Sequence, residues 1–279
     1  MEFKQVAGLR RSIRFWQPWR PVEDSKIQTI LEAIYRAPRI LEVDFTKVGV
    51  LRREQISDED FRTMKGPTTT TQVDLCPLYI WVYADMEALE SACDGHNLRE
   101  LIEAGILGAG HGWTMDRVES AVIPNVYRRV LEETDRIPIT RGPVEGEPVT
   151  YPRGLVALAR WQQGIAHEHA LLTAVDEGLG IQLSAVNPNI PKKIMGIPDT
   201  WMPSMPLLVG YPAESLEAGG QRPREPLGED FCEGRFGNPF EPDPAVDQRL
   251  WDEGLFRRQD LPWRRAELRR LSRMFGLPE

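Results

Sequence analysis

Cysteine is scarce in this chain: Cys76, Cys93 and Cys232 are the only three, and none stands at metal-ligand spacing from another. That excludes a disulfide framework and a thiolate metal centre, and it fits a reducing compartment. No apolar run approaches the roughly 20 residues that a membrane span needs. The charged N-terminus has no apolar core of the kind a secretory signal carries. Excess positive charge is missing too, since 34 Lys and Arg stand against 42 Asp and Glu for a net charge of −8. Wholesale nucleic-acid binding is thereby excluded, and basic residues matter only where they cluster. No G-x-G-x-x-G follows a strand-like run, so no Rossmann dinucleotide site is expected. His167 and His169 flank Glu168, but two residues along a helix turn the side chains about 200° apart. They cannot share an ion, and no metal is expected. A cytoplasmic protein without nucleic-acid, metal or membrane partners is what remains.

What the chain does have is an ordinary globular composition, 41% hydrophobic and 27% charged over 279 residues, enough to bury a core without covalent staples. PVEDSKIQTILEAIYR, 21–36, has Ile27, Ile30, Leu31 and Ile34 at helical spacing, with Glu23 and Asp24 where a helix dipole favours acids and Pro38 to stop it. FTKVGVL, 45–51, reads as a strand and RREQISDEDF as a polar connection. LYIWVYA, 78–84, reads as a buried central strand. Helical character returns at 87–107 and 115–135, separated by the glycines of GILGAGHGW. A Pro/Gly-rich loop covers 136–154, longer than most connections in compact domains. A long helix is predicted over 157–177, with Ile165, Ala166, Leu172 and Val175 inward and glycines at its end. IQLSAV and MPLLVGYP (205–212) read as strands, and 263–275 as a terminal helix with Leu268, Leu271 and Phe275 on one stripe. Helices and strands alternate without regular βαβ units, so the fold class is α+β.

The chemistry-bearing segment is LRRSIRFW, 9–16. If it is extended, Arg10, Ser12 and Arg14 share one face and Leu9, Ile13 and Phe15 the other. Two guanidinium forks and a hydroxyl then face one way, a set that suits a phosphate. If it is helical, Arg10 and Arg14 are still neighbours. A solvated basic face is the other reading. A second basic pair, Arg222 and Arg224, follows a strand and a glycine-rich turn, and the two pairs can converge on one phosphate.

Three stretches together carry a resemblance. RRSIRFWQPWRPVEDSKIQTILEAIYRAP resembles the opening of the nitroreductase family of FMN-dependent oxidoreductases. WQQGIAHEHALLTAVDEGLGIQLS resembles the family's central helix and the turn after it. IMGIPDTWMPSMPLLVGYPAE followed by QRPREPL resembles its closing strand and basic phosphate-binding segment. They occur in the family's order between residues 9 and 228. The resemblance implies a mostly antiparallel central sheet flanked by helices, in an intertwined homodimer with FMN at the subunit interface. It implies that Arg10, Ser12, Arg14, Arg222 and Arg224 hold the FMN phosphate, with Arg11 in range. It places Ile181, Gln182, Leu183 and Ser184 beside the flavin ring. It implies hydride transfer from NAD(P)H through the flavin to a small organic acceptor: a nitroaromatic, a quinone, an enone or a more specialised molecule.

The departures from the family are local. After Pro38 the chain reads RILEVDF, where the family has Ser, Asn and Gln-Pro-Trp against the flavin ring. Arg39 is a candidate substrate ligand there, or a surface arginine. Residues 97–150 are long for the family's middle section and are expected to form a lid or interface excursion, with Trp113, Tyr127 and Tyr151 as lid aromatics or core residues. The expected organisation is a nitroreductase-like FMN-binding domain over 1–234 and a C-terminal extension over 235–279. A flavin-binding or sequestering protein without NAD(P)H turnover is the alternative, motivated by the altered segment after Pro38. Binding of another phosphorylated ligand through the same arginines is a third reading.

Overall fold

The computed structural model describes residues 1–66, 70–140 and 147–278. The run LYIWVYA has no polar break because its strand, β2 (Leu78–Asp85), is covered on both faces. Leu78, Ile80 and Val82 enter one core cluster, which includes Ile27, Ile30 and Ile34 of the helix Asp24–Tyr35. Tyr79, Trp81 and Tyr83 alternate into a second cluster with Phe61 and Met64. A strand whose side chains alternate between two dry faces must be apolar at every position.

Around β2 lie β1 (Thr46–Arg52), β5 (Gly180–Leu183), β6 (Trp201–Pro203) and β7 (Leu207–Gly210), in the order β1-β2-β7-β5 with β6 also on β2. All four strand pairings are antiparallel. The α+β class and the mostly antiparallel sheet are as expected. Two further short strands, β3 (Arg136–Pro138) and β4 (Thr150–Pro152), pair with each other inside the region predicted as a loop. Residues 141–146 of that loop lie outside the described residues.

The long helix runs from Arg153 to Asp176. Ala166, Ala170 and Ala174, four apart, are fully buried on the sheet, where small side chains let a helix backbone lie close. Val175 is buried beside them, while Ile165 and Leu172 are half-buried against the same core. The predicted helical region 87–107 is broken into Ala88–Ser91, a short 3-10 turn and His96–Glu103. Within 115–135, residues Val118–Arg128 form wide π-helical turns that contain Pro124. Proline lacks an N–H and crowds the preceding turn, and a widened turn relieves both problems. Val118, Ile123 and Tyr127 build a third core cluster with Leu155 and Ala159 of the long helix. Trp113 and Tyr151 pack against that cluster as partly buried residues.

Several short helices stand where none was expected, among them Phe3–Leu9, Thr70–Leu75 and Asn189–Met195. Asp58–Met64 lies in the polar connection, capped by Ser57, whose hydroxyl accepts from Asp60 N–H. Pro244–Asp252 lies in the Pro-rich tail, capped by Asp243. The terminal helix runs Arg264–Phe275; Leu271 is fully buried, and Phe275 stacks on Phe15 and Trp19. Among the described residues, no helix is long and apolar enough to cross a membrane.

Candidate functional site

The N-terminal basic segment is extended. Ser12 pairs in parallel with Ile181, Ile13 N–H donates to Ile181 O at 3.2 Å, and Gln17 N–H donates to Tyr211 O at 2.9 Å. Glycines make room for it. A Cβ at Gly180 would lie 2.9 Å from Ile13 Cγ2, and one at Gly210 would lie 2.8 Å from Trp16 Cδ1. Arg11, Ile13 and Trp16 are buried, while Arg10 and Ser12 are half-buried and Arg14 is exposed. Arg10, Ser12 and Arg14 thus occupy the open side of the segment. Arg14 Nη1 donates to Ser12 O at 3.0 Å.

Arg11 goes the other way. Its Nη1 donates to the carbonyls of Gly8 and Arg10, both at 2.8 Å, while Nε and Nη2 are buried without a partner. Burial, and then the like charge of Arg10, lowers its pKa, with Glu217 opposing.

Glu214 anchors the segment. Its buried carboxylate accepts from Arg14 N–H at 2.6 Å and Phe15 N–H at 3.0 Å, and pairs with Arg264 of the terminal helix at 2.6 Å. Sequence reasoning missed this residue; nothing in PAES marks Glu214 as buried, because its three partners come from both ends of the chain.

Arg222 and Arg224 are exposed. Their segment is fixed by Gln221, whose Nε2 donates to Leu255 O at 2.9 Å and whose Oε1 accepts from Arg257 N–H at 2.7 Å. The same stretch of the extension meets the N-terminal helix Phe3–Leu9, because a Cβ at Gly8 would overlap the carbonyl oxygen of Gly254. Residues 254–257 therefore brace both arginine-bearing segments at once. This was not legible either: the brace works through backbone carbonyls, which leave no side-chain signature.

The strand below carries two more unpaired groups. Gln182 Oε1 and Ser184 Oγ are buried and have no hydrogen-bond partner. Ile181 is fully buried and Leu183 half-buried. Arg39, in contrast, is exposed, 3.9 Å from Asp44 and with its guanidinium 5.5 Å from the Tyr35 ring centre. Its neighbours are pinned: Gln162 Nε2 donates to Pro38 O at 2.9 Å, and Ile40 N–H donates to Gln162 Oε1 at 2.8 Å. Leu41 and Glu42 then follow with φ of 56°, a left-handed pair without glycine. Tyr127 Oη and Asn97 Nδ2, each at 2.6 Å, donate to their carbonyls and hold them there.

A cavity of about 410 Å³ opens beyond β5, lined among others by Arg160, Gln163 and His167 of the long helix, by Ala185 and Val186, and by Ser204. His167 Nε2 and Ser204 Oγ lie 3.0 Å apart, and Ser204 Oγ donates to Met205 O at 3.1 Å. The serine oxygen then accepts from His167 Nε2–H. Burial lowers the His167 pKa to about 4, so the imidazole is neutral. Arg160 Nη1 donates to Gln163 Oε1 at 3.0 Å and to Pro203 O at 2.8 Å. A second cavity of about 290 Å³, near Arg52 and Cys76, includes none of the predicted site residues. Among the described residues, no group of three or more His, Cys, Asp or Glu is placed to hold a metal.

No protein-family model matches the chain, and no curated protein matches it in sequence. Solved structures do match. A nitroreductase family protein from Streptococcus pneumoniae is 16% identical, with a TM-score of 0.58 over 84% of this chain and all of that one. A candidate nitroreductase from Exiguobacterium sibiricum, in complex with FMN, is 17% identical, with a TM-score of 0.59 over 83% of this chain and 96% of that one. A candidate NAD(P)H:FMN oxidoreductase from Staphylococcus epidermidis is 13% identical, with a TM-score of 0.59 over 83% of this chain and 95% of that one. The chain has the fold these proteins share.

Proposed function

We propose that the chain is an FMN-dependent oxidoreductase of the nitroreductase family. It acts as a homodimer and passes electrons from NAD(P)H to a small organic acceptor. One observation carries this reading: Gln182 Oε1 and Ser184 Oγ are left without partners on the strand and turn that the arginine-bearing segment flanks. Buried polar atoms are seldom left unpaired. A flat ligand that brings donors and acceptors of its own, and a phosphate at one end, fits these two atoms and the arginines together. The E. sibiricum structure, solved with FMN, supports the cofactor, and the description of the S. epidermidis protein supports the donor.

In this reading Arg10, Ser12, Arg14, Arg222 and Arg224 bind the phosphate. Arg11 lies beneath them and adds positive potential at the same end. Gln182 and Ser184 orient the ring edge, while Ile181 and Leu183 keep water from one side of it. Bound FMN supplies the two-electron chemistry; the protein supplies orientation, electrostatics and water exclusion. No side chain is assigned as an acid or base.

The test is the visible spectrum of the purified protein, with the released chromophore identified, followed by anaerobic addition of NADH and NADPH. A flavin spectrum that bleaches is the expected result. A colourless protein that takes up no added FMN refutes the proposal. A bound flavin that neither nucleotide reduces favours the sequestering reading. The segment after Pro38, locked in its left-handed turn, is the feature that supports that second reading.

A further inference from the structure

We propose that residues 225–247 form an arm that docks on the terminal helix Arg264–Phe275 of a second copy of this chain, each copy's arm lying on the other's helix. This surface rests on the homodimer reading above and needs no flavin.

The arm holds its own shape. Phe240 N–H donates to Phe231 O and Glu233 N–H to Asn238 O, both at 2.9 Å, and Asn238 Nδ2 donates to Glu233 O at 2.9 Å. The chain turns between them through Gly234 and Gly237, both at positive φ. The root of the arm is fixed as well. Gln221 N–H donates to Arg258 O at 2.9 Å, and its side chain holds Leu255 and Arg257. Yet little covers the arm. Phe231 is 57% exposed, Phe236 98% and Phe240 42%. At roughly 200 Å² for each phenylalanine, these fractions leave about 400 Å² uncovered. Apolar area of that size on one short segment marks an interaction surface. A two-stranded hairpin is marginal alone in water, so one this open needs a surface to rest on.

Charge selects the surface. Residues 225–247 carry seven carboxylates against one arginine, Arg235. Glu229, Asp230, Glu233 and Glu241, which surround the phenylalanines, are all exposed. The terminal helix carries the opposite sign, with five arginines and one glutamate over 264–275. Arg264 is engaged by Glu214 and Glu267. Arg265 and Arg269 are exposed and share one face with the exposed Leu268. A guanidinium pairs with carboxylates and also stacks on aromatic faces, so this helix face suits both halves of the arm's chemistry.

The arm and the helix face are both exposed in the same chain, so an arm with its root pinned at Gln221 does not cover its own helix. A second copy offers the same two surfaces in return, and a reciprocal exchange closes as a two-fold dimer. The rings of the arm alone supply about half of the roughly 800 Å² that each partner buries in a standard interface, and the helix face adds to it.

Cys232 lies on the arm and is exposed, which supplies a probe. Leu268→Cys puts a second thiol on the helix, and a short bis-maleimide joins the two wherever they meet. The expected result is a covalent dimer from Leu268→Cys, with none from the parent or from Leu268→Cys combined with Cys232→Ser. Reversing the arm (Glu229→Lys with Glu233→Lys) or the helix (Arg265→Glu with Arg269→Glu) in the Leu268→Cys background should cut the linked fraction at least tenfold. Co-expressing the two reversed chains should restore it. A 232–268 link within one chain overturns the inference, as does a linked fraction that neither reversal changes. Sedimentation of the same samples separates the proposals. A dimer that gives no link refutes the arm and leaves the homodimer reading standing, whereas a monomer refutes both. A linked dimer that takes up no FMN refutes the flavoprotein reading alone.

Discussion

His167 should make the protein lose stability on mild acidification, and its contribution can be worked out. The imidazole is buried, and its pKa falls from an ordinary 6.5 to about 4. In the unfolded chain it takes up a proton below about pH 6.5, while in the folded protein it stays neutral until about pH 4. Across that window the unfolded state binds more protons, so stability falls as pH drops and is flat with respect to this group above it. One pH unit of difference is worth about 1.36 kcal/mol. The penalty is then about 2 kcal/mol at pH 5 and approaches about 3 kcal/mol below pH 4. The comparison is with His167→Gln, which keeps a donor near Ser204 Oγ but does not titrate. Urea unfolding of both proteins at pH 7.5, 6 and 5 cancels the carboxylates they share. The parent should lose about 2 kcal/mol more than the variant between pH 7.5 and 5. Parallel curves would show that the imidazole is not held neutral in its buried place beside Ser204.

Arg10→Ala and Arg224→Ala should each weaken FMN binding by about 1.5–3 kcal/mol per lost charge-assisted contact, read by fluorescence quenching of the flavin; unchanged affinity in both would refute the phosphate assignment. Glu214→Ala should destabilise the fold by about 2–4 kcal/mol, because it leaves two N–H groups unpaired and takes one of two carboxylates from Arg264, which keeps Glu267 at 2.6 Å; a shift of the urea midpoint checks it. Gly180→Val should lower the melting temperature far more than Gly164→Ala, which should raise it slightly; the first forces Ile13 aside, and the second only adds a helix-favouring methyl group. Glu42→Asn should be neutral or stabilising by up to about 1 kcal/mol in thermal unfolding, since asparagine tolerates the left-handed φ of 56° that glutamate occupies there.

Much of the scaffold was legible because its signals are local. The apolar run of β2, the isoleucine spacing of Asp24–Tyr35 and the length of the alanine-rich central helix each follow from one stretch of sequence. The helices Asp58–Met64 and Pro244–Asp252 were missed because polar and proline-rich composition outweighed their caps. Ser57 and Asp243 were the readable signs, and Pro244 stands at the helix start, where proline is tolerated. In the site, period-two alternation separates Arg10, Ser12 and Arg14 from the buried Ile13. The same alternation puts Arg11 on the inward face with Ile13; what it does not reveal is the Gly8 carbonyl, presented by the N-terminal helix, that accepts from the guanidinium there. The His167–Ser204 pair joins residues 37 apart across two elements, and neither has a local mark of it. Trp113, expected as a lid or core aromatic, packs against the core cluster around Tyr127.

The ties between the two ends of the chain bear on how the molecule comes to exist. Arg14 and Phe15 are held by Glu214, which is held by Arg264, while Phe15 and Trp19 lie against Phe275. Contacts of such sequence separation close very large loops, and the entropy of closure is spent before they return anything. During synthesis the first twenty residues must wait, unseated, until Ile181, Tyr211 and Glu214 have been made, and their tie through Arg264 and Phe275 waits for the end of the chain. The arginine-bearing segment is then the last part of the fold to settle. Refolding followed by flavin capture should lag behind refolding followed by tryptophan fluorescence of the β2 core, and the interval between them times the docking of one end of the chain on the other.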